Sequence, residues 1–148
     1  MLQDLHLLFQ RDLDRLRNEI SSYSSETLIW KVIPGTANPG GNICLHLLGN
    51  LHTYIGKELG GTGYIRNRDL EFSARGLSLA ELLQKIDGTA LMMKEVLPVL
   101  DEKLLNQPYP APVFDQPLTT GYFLLHLLAH FNYHLGQINY HRRISASA

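Results

Sequence analysis

The chain has 148 residues, of which 45% are apolar and 18% charged, the composition of a globular domain and not of a disordered segment. Thirteen basic and fourteen acidic residues leave a net charge of −1, which argues against a large electrostatic footprint for nucleic acid or an anionic membrane. A single cysteine, Cys44, excludes an intrachain disulfide and points to a reducing, cytoplasmic setting.

The length suits one domain over residues 1–148. The start, MLQDLHLLFQRDLDRLRNE, is amphipathic and charged throughout, so it is not expected to act as a signal peptide. No apolar run reaches the roughly 18 residues a membrane span needs. Leu2, Leu5, Leu8, Phe9, Leu13, Leu16 and Ile20 recur at three- and four-residue steps, the core face of a first helix. Its polar face carries Arg11, Asp12, Asp14, Arg15 and Glu19. Ser21 to Ser25 break it, and a short helical piece follows from Glu26 to Val32, ended by Pro34-Gly35. Thr36 to Gly41 reads as a loop. Asn42 suits the N-cap of a second helix, Ile43 to about Leu59, mostly apolar and so deeply buried; Gly60 and Gly61 end it. Thr62 to Leu77 reads as a long connection without structure of its own, a kind of segment that is often functional. Ser78 and Glu81 form a capping box at the start of a third helix, which Pro98 kinks or ends. Asn106 to Pro117 holds four prolines and reads as a rigid connector. Thr119 or Thr120 caps a last helix to about Arg143, with the tail Ile144–Ala148 expected to fray. Four long helices and no convincing strand make an all-α four-helix bundle the economical fold. The long second connection can span the bundle, so helices two and three are free to run parallel.

Histidine stands out, with six of the seven in two short segments. His126, His130 and His134 stand four apart on the last helix and share an arc of about 80°, into which His141 also falls. Two histidines four apart can chelate one metal ion. His46 and His52, on the second helix, differ by about 240°, so only one of them can face that arc. Three histidines from two helices would leave an open coordination position, the pattern of a catalytic metal site, and imidazole suits zinc, nickel, copper or iron alike. A polar cluster that caps the bundle, or one that titrates as a pH switch, is the competing reading. Spacing alone does not choose between His126/His130 and His130/His134, nor between His46 and His52.

The segment His130-Phe131-Asn132-Tyr133-His134-Leu135-Gly136-Gln137-Ile138 resembles the H-x-x-x-H-x-G-Q-I signature of the DinB/YfiT-like family. His46-Leu47-Leu48-Gly49-Asn50 resembles that family's upstream histidine in an H-x-x-G-N context, and Arg66-Asn67-Arg68-Asp69-Leu70-Glu71-Phe72 is similar to an element of one branch. The resemblance implies a bundle in up-down-down-up order and a divalent metal, zinc or nickel, held by His46, His130 and His134. His126 would then be a wall or supporting residue one turn away. It also implies a homodimer, and either transfer of a low-molecular-weight thiol to a small-molecule electrophile or metal-dependent hydrolysis. It does not imply DNA binding.

Asn50, four after His46, shares its face and either orients a ligand or packs. Gly49 and Gly136 would let helices approach closely at the site. Cys44 points away from His46 and reads as core. Arg66 and Arg68 either grip carboxylates of a cosubstrate or tie the loop to the bundle. Trp30 is expected over one bundle end, Met92 and Met93 in the core, and Tyr140 in the core or an interface. Hydrolysis would need a carboxylate base, which neither histidine motif contains, leaving Glu58 or Asp69 as remote candidates. A non-catalytic metal- or ligand-binding bundle is the third class of function.

Overall fold

A computed structural model describes residues 1–147. Six α-helices are present among the described residues: α1 Leu2–Ser21, α2 Glu26–Ile29, α3 Gly40–Leu51, α4 Arg68–Ser73, α5 Leu79–Val96 and α6 Thr120–Ser147. No β-strand is present among them, only an isolated bridge between Pro108 and Thr119. No helix among the described residues is long and apolar enough to cross a membrane.

Pairings between helices fix their directions. Asp12 meets Asn132 and Glu19 meets Asn139, so α1 and α6 run parallel. Arg17 meets Asp87 and Gln10 meets Ala90, so α5 opposes α1. His46 lies against His130 and Tyr54 against Phe123, so α3 opposes α6. The order is up-down-down-up, and α3 and α5 run parallel, as the long connection between them allows.

The core face of α1 is the one its periodicity marks, with Leu5, Phe9, Leu13, Leu16 and Ile20 buried. Phe123, Phe131 and Leu47 meet it from α6 and α3, and each such side chain contributes roughly 1.5–3 kcal/mol by leaving water. Asp12 departs from its expected place on the polar face: it is fully buried. Its carboxylate accepts from Arg11 Nε (2.8 Å), Arg15 Nη1 (3.2 Å) and Asn132 Nδ2 (2.6 Å). The last of these pins α6 to α1 midway between His130 and His134.

Four other expectations are corrected. The short helical piece stops at Ile29 and does not reach Val32. Helix α3 begins at Gly40 after Pro39, not at an Asn42 cap. Asn42 is buried instead, and its amide donates to the carbonyls of Glu71 (2.8 Å) and Ala74 (3.0 Å). Those bonds fold the second connection onto α3 as helix α4, where Asn67 Oδ1 caps Leu70 N–H (3.1 Å). Finally, α6 runs on to Ser147, with Ser145 buried and bonded to the Arg142 carbonyl; Ala148 lies outside the described residues.

The capping box at Ser78 and Glu81 is present, and Pro98 sits in a 3₁₀ turn, Leu97–Val99, that closes α5. Thr119, not Thr120, supplies the side-chain cap of α6 through Tyr122 N–H. Past Leu51, α3 continues as a π-helix, His52–Lys57. Trp30 covers Gly41 at the first turn of α3 and donates to the Leu77 carbonyl. Met92, Met93 and Cys44 are core, and burial pushes the Cys44 thiol up to about 12.

Candidate metal centre

Helix α3 turns His46 toward α6, which presents His130 and His134 one turn apart. The His46 ring centre is 5.3 Å from each of the other two, and theirs are 4.5 Å apart. One nitrogen from each ring falls within 4.8 Å of the others, an arrangement able to hold a metal ion.

Hydrogen bonds select the nitrogens. Glu71, buried on α4, accepts from His46 Nδ1–H at 3.1 Å. Burial works against the charge of this carboxylate, but the bonds from Arg66 and His46 outweigh it and hold the group below its usual range. Glu71 is therefore an ionised acceptor, and His46 carries its proton on Nδ1. The Asn50 amide donates to His46 Nε2 at 3.1 Å, which fits the same tautomer but occupies the lone pair a metal ion would take, so the amide has to release it for an ion to bind. On α6, His134 Nδ1 donates to Gln137 Oε1 at 2.6 Å, which leaves Nε2 bare. That nitrogen accepts from His130 Nε2–H at 3.1 Å, a proton that a metal ion would replace. Metal-bound nitrogens at 2.0–2.1 Å in a tetrahedral set are about 3.4 Å apart, so this pair already has a suitable separation. Burial and the neighbouring imidazoles push His130 down to about 4, and burial lowers His134 as well. At neutral pH both rings are uncharged donors, as a metal site needs.

A carboxylate behind a histidine fixes ring orientation and raises its basicity. Glu71 has this position, and Arg66 clamps it with Nε on Oε1 (2.7 Å) and Nη2 on Oε2 (2.9 Å). Arg66 thus ties the connection to the bundle and does not face the cavity beside the histidines. Gly49 makes the arrangement possible: a Cβ there would overlap Glu71 and come within 2.7 Å of its Cδ. Glu71→Gln is expected to fold and to bind metal 10–100-fold more weakly, measured by competition with a chromophoric chelator. Unchanged affinity would remove Glu71 from the site's machinery.

His126 is exposed and packs with Phe114 (5.1 Å) and His130 (6.4 Å), outside the three-nitrogen cluster. His52 stacks on Tyr64 and bonds Thr89, on another face of α3. His141 is buried with both nitrogens engaged, by Tyr23 OH and the Lys31 carbonyl, each at 2.7 Å. Gly136 has no atom near a would-be Cβ, so no close helix approach explains it. Arg68 lies over the Phe72 ring at the cavity edge. Glu71 and Gln137, quoted in the sequence only within motifs, are the positions to which the sequence reading gave no role beside the histidines. Gln137, three after His134, was open to an i, i+3 argument; Glu71, 25 residues from His46, was not.

A cavity of about 640 Å³ opens beside His46 and His134. Its wall includes Arg68, Phe72, Tyr133, Gln137 and Tyr140, and no carboxylate. Asp69 and Glu58 do not line it, and Glu58 pairs with Lys57.

Fold and donor set together define a helical bundle with a candidate three-histidine metal centre. The sequence model of the DinB superfamily matches residues 8–138, and the chain belongs to that superfamily. No curated protein matches it in sequence.

Proposed function

We propose that this protein is a metal-dependent enzyme that transfers a low-molecular-weight thiol to a small electrophile, with His46, His130 and His134 as ligands of zinc or nickel. The observation that carries this reading is a three-imidazole donor set, two of whose rings, His46 and His134, line a cavity without a carboxylate. A divalent metal would supply the Lewis acidity that lowers the pKa of a bound thiol. The net change is then an S–C bond formed and a carbon–leaving-group bond broken, with the thiol proton departing with the leaving group. A thiol so acidified needs no strong general base, whereas hydrolysis usually draws on a carboxylate to take a proton from water. Glu71 supports His46 from behind and is neutralised by Arg66, so it does not fill that role. Glu71 and Gln137 hold the rings of His46 and His134, and Arg68 offers the one guanidinium of the cavity wall to an anionic group on either substrate.

The test is conjugation of 1-chloro-2,4-dinitrobenzene with L-cysteine or glutathione. Metal-loaded protein is expected to accelerate product formation only with thiol present, and His130→Ala to lose the acceleration. Product released without thiol would favour the hydrolase, and no acceleration with any thiol tried would favour a non-catalytic binder.

The same reading includes a homodimer in a reducing cytoplasm. Support comes from an exposed stripe along α6: Tyr122, Leu125, Ala129, Tyr133, Gly136, Tyr140 and Ile144. Its spacing is nearly palindromic about Tyr133. Two antiparallel copies would set Tyr122 opposite Ile144, Leu125 opposite Tyr140 and Ala129 opposite Gly136, as a two-fold interface requires. Sedimentation equilibrium is expected to give a dimer that Tyr133→Glu converts to monomer; a monomeric wild type would refute the interface.

A further inference from the structure

A second cavity, of about 500 Å³, lies between α3 and α5 under the connection that carries α4. It opens from a different face of α3 than His46 does: Leu45, Leu48 and His52 stand at i, i+3 and i+7 and line it together. Leu70 and Leu77 close the apolar wall. Its size and mostly apolar lining with few polar groups match those of small-molecule sites.

The charged groups that touch this cavity are Glu71 and Lys85. The Thr89 hydroxyl donates to the Lys85 carbonyl (2.9 Å) and therefore accepts from His52 Nε2–H (3.0 Å). Burial, with the nearby Lys85 charge, lowers the pKa of His52, so this ring is neutral. Glu71 touches the cavity, but its charge is met by Arg66. The ammonium of Lys85, an exposed residue, remains; it makes no ion pair within 4 Å among the described residues, although its charge reaches Glu81 one turn earlier on α5.

Gly88 is the second, independent sign. It sits in the interior of α5, where glycine costs about 1 kcal/mol against alanine. Close packing explains Gly49 and Gly60, whose added Cβ atoms would strike Glu71 and Val96. At Gly88 a Cβ would meet nothing within 4 Å. Gly88 is exposed and part of the lining, so the space its missing side chain leaves lies at the open edge of the cavity.

We infer that this cavity binds an apolar monocarboxylate, its tail between α3 and α5 and its carboxylate at Lys85. A phosphate would call for several converging donors, and one flexible ammonium offers a point charge. The site does not depend on the proposed metal chemistry.

The test titrates decanoate into metal-free, methyl-labelled protein, followed by NMR and calorimetry. Saturable binding is expected, with shifts at Leu48 and Leu77 and none at Ile33 and Ile144, which line the histidine-side cavity. Gly88→Leu fills open space and improves helix propensity, so it is expected to fold and to abolish binding. Lys85→Gln is expected to weaken decanoate about tenfold, a difference of about 1.4 kcal/mol, while 1-decanol binds wild type and variant equally. No saturable binding, binding that survives Gly88→Leu, or shifts confined to the histidine side would overturn the site. Unchanged decanoate affinity in Lys85→Gln would overturn the carboxylate assignment.

Discussion

Gly49→Ala is expected to destabilise the protein by about 3 kcal/mol and to weaken metal binding at least as much as Glu71→Gln does. On helix propensity alone the sign would be opposite, since alanine in a helix interior gains about 1 kcal/mol over glycine. The reversal comes from one contact: the new Cβ overlaps the buried Glu71 carboxylate. That carboxylate cannot move freely, because Arg66 holds both its oxygens and His46 donates to one of them. Breaking a buried charge pair costs about 3–5 kcal/mol, and relief by a shift of α4 lowers the figure. Urea denaturation gives the stability and chelator competition the affinity. A stabilised Gly49→Ala protein would show that α4 is not held against α3 in this way.

The second large effect is at Asp12. Its carboxylate is fully buried and accepts from Arg11, Arg15 and Asn132. Asp12→Ala removes the acceptor for all three. The two arginines are about half exposed and regain water, but the partly buried Asn132 keeps only its bond to the Leu128 carbonyl. The expected loss is about 2 kcal/mol, the scale of a buried polar group losing its partner. Asp12→Asn, which keeps one acceptor oxygen, is expected to lose less. Because Asn132 lies between two proposed ligands, Asp12→Ala is also expected to weaken metal binding, through the setting of α6 and not through any contact with the ion. Equal stability of the alanine and asparagine variants would contradict this account.

Asp12 also shows how far the sequence can be read. Its type placed it on the polar face of α1, yet it stands three after Phe9 and four before Leu16, inside the apolar stripe. Position was the better guide than polarity. The long helices, the capping box and the parallel course of α3 and α5 were legible because local periodicity and connection length control them. The i, i+4 pair on α6 was legible for the same reason. His46 against His52, and His134 against His126, were not separable by spacing; the resemblance to a family chose them, and the packing of α3 on α6 brings that set together. Helix α4 had a local signal that was passed over, the Asn67 cap with Asp69 and Glu71 in the first turn; its docking on α3 was not legible, since those bonds come from Asn42, some thirty residues upstream. The role of Glu71 was hidden for that reason too. It depends on tertiary contact with His46, on the clamp of Arg66 and on the space Gly49 leaves. Gly49 was marked as a point of close approach, but what approaches it is a carboxylate and not a helix.

The most direct test of the central claim is elemental analysis of untagged protein purified without added metal, wild type beside His134→Ala. One zinc or nickel per chain in the wild type, absent from His134→Ala, is the result the three-histidine site predicts. Equal metal content in the two proteins, or a wild type that takes up none after reloading and dialysis, would contradict it and leave the histidines as polar packing between α3 and α6.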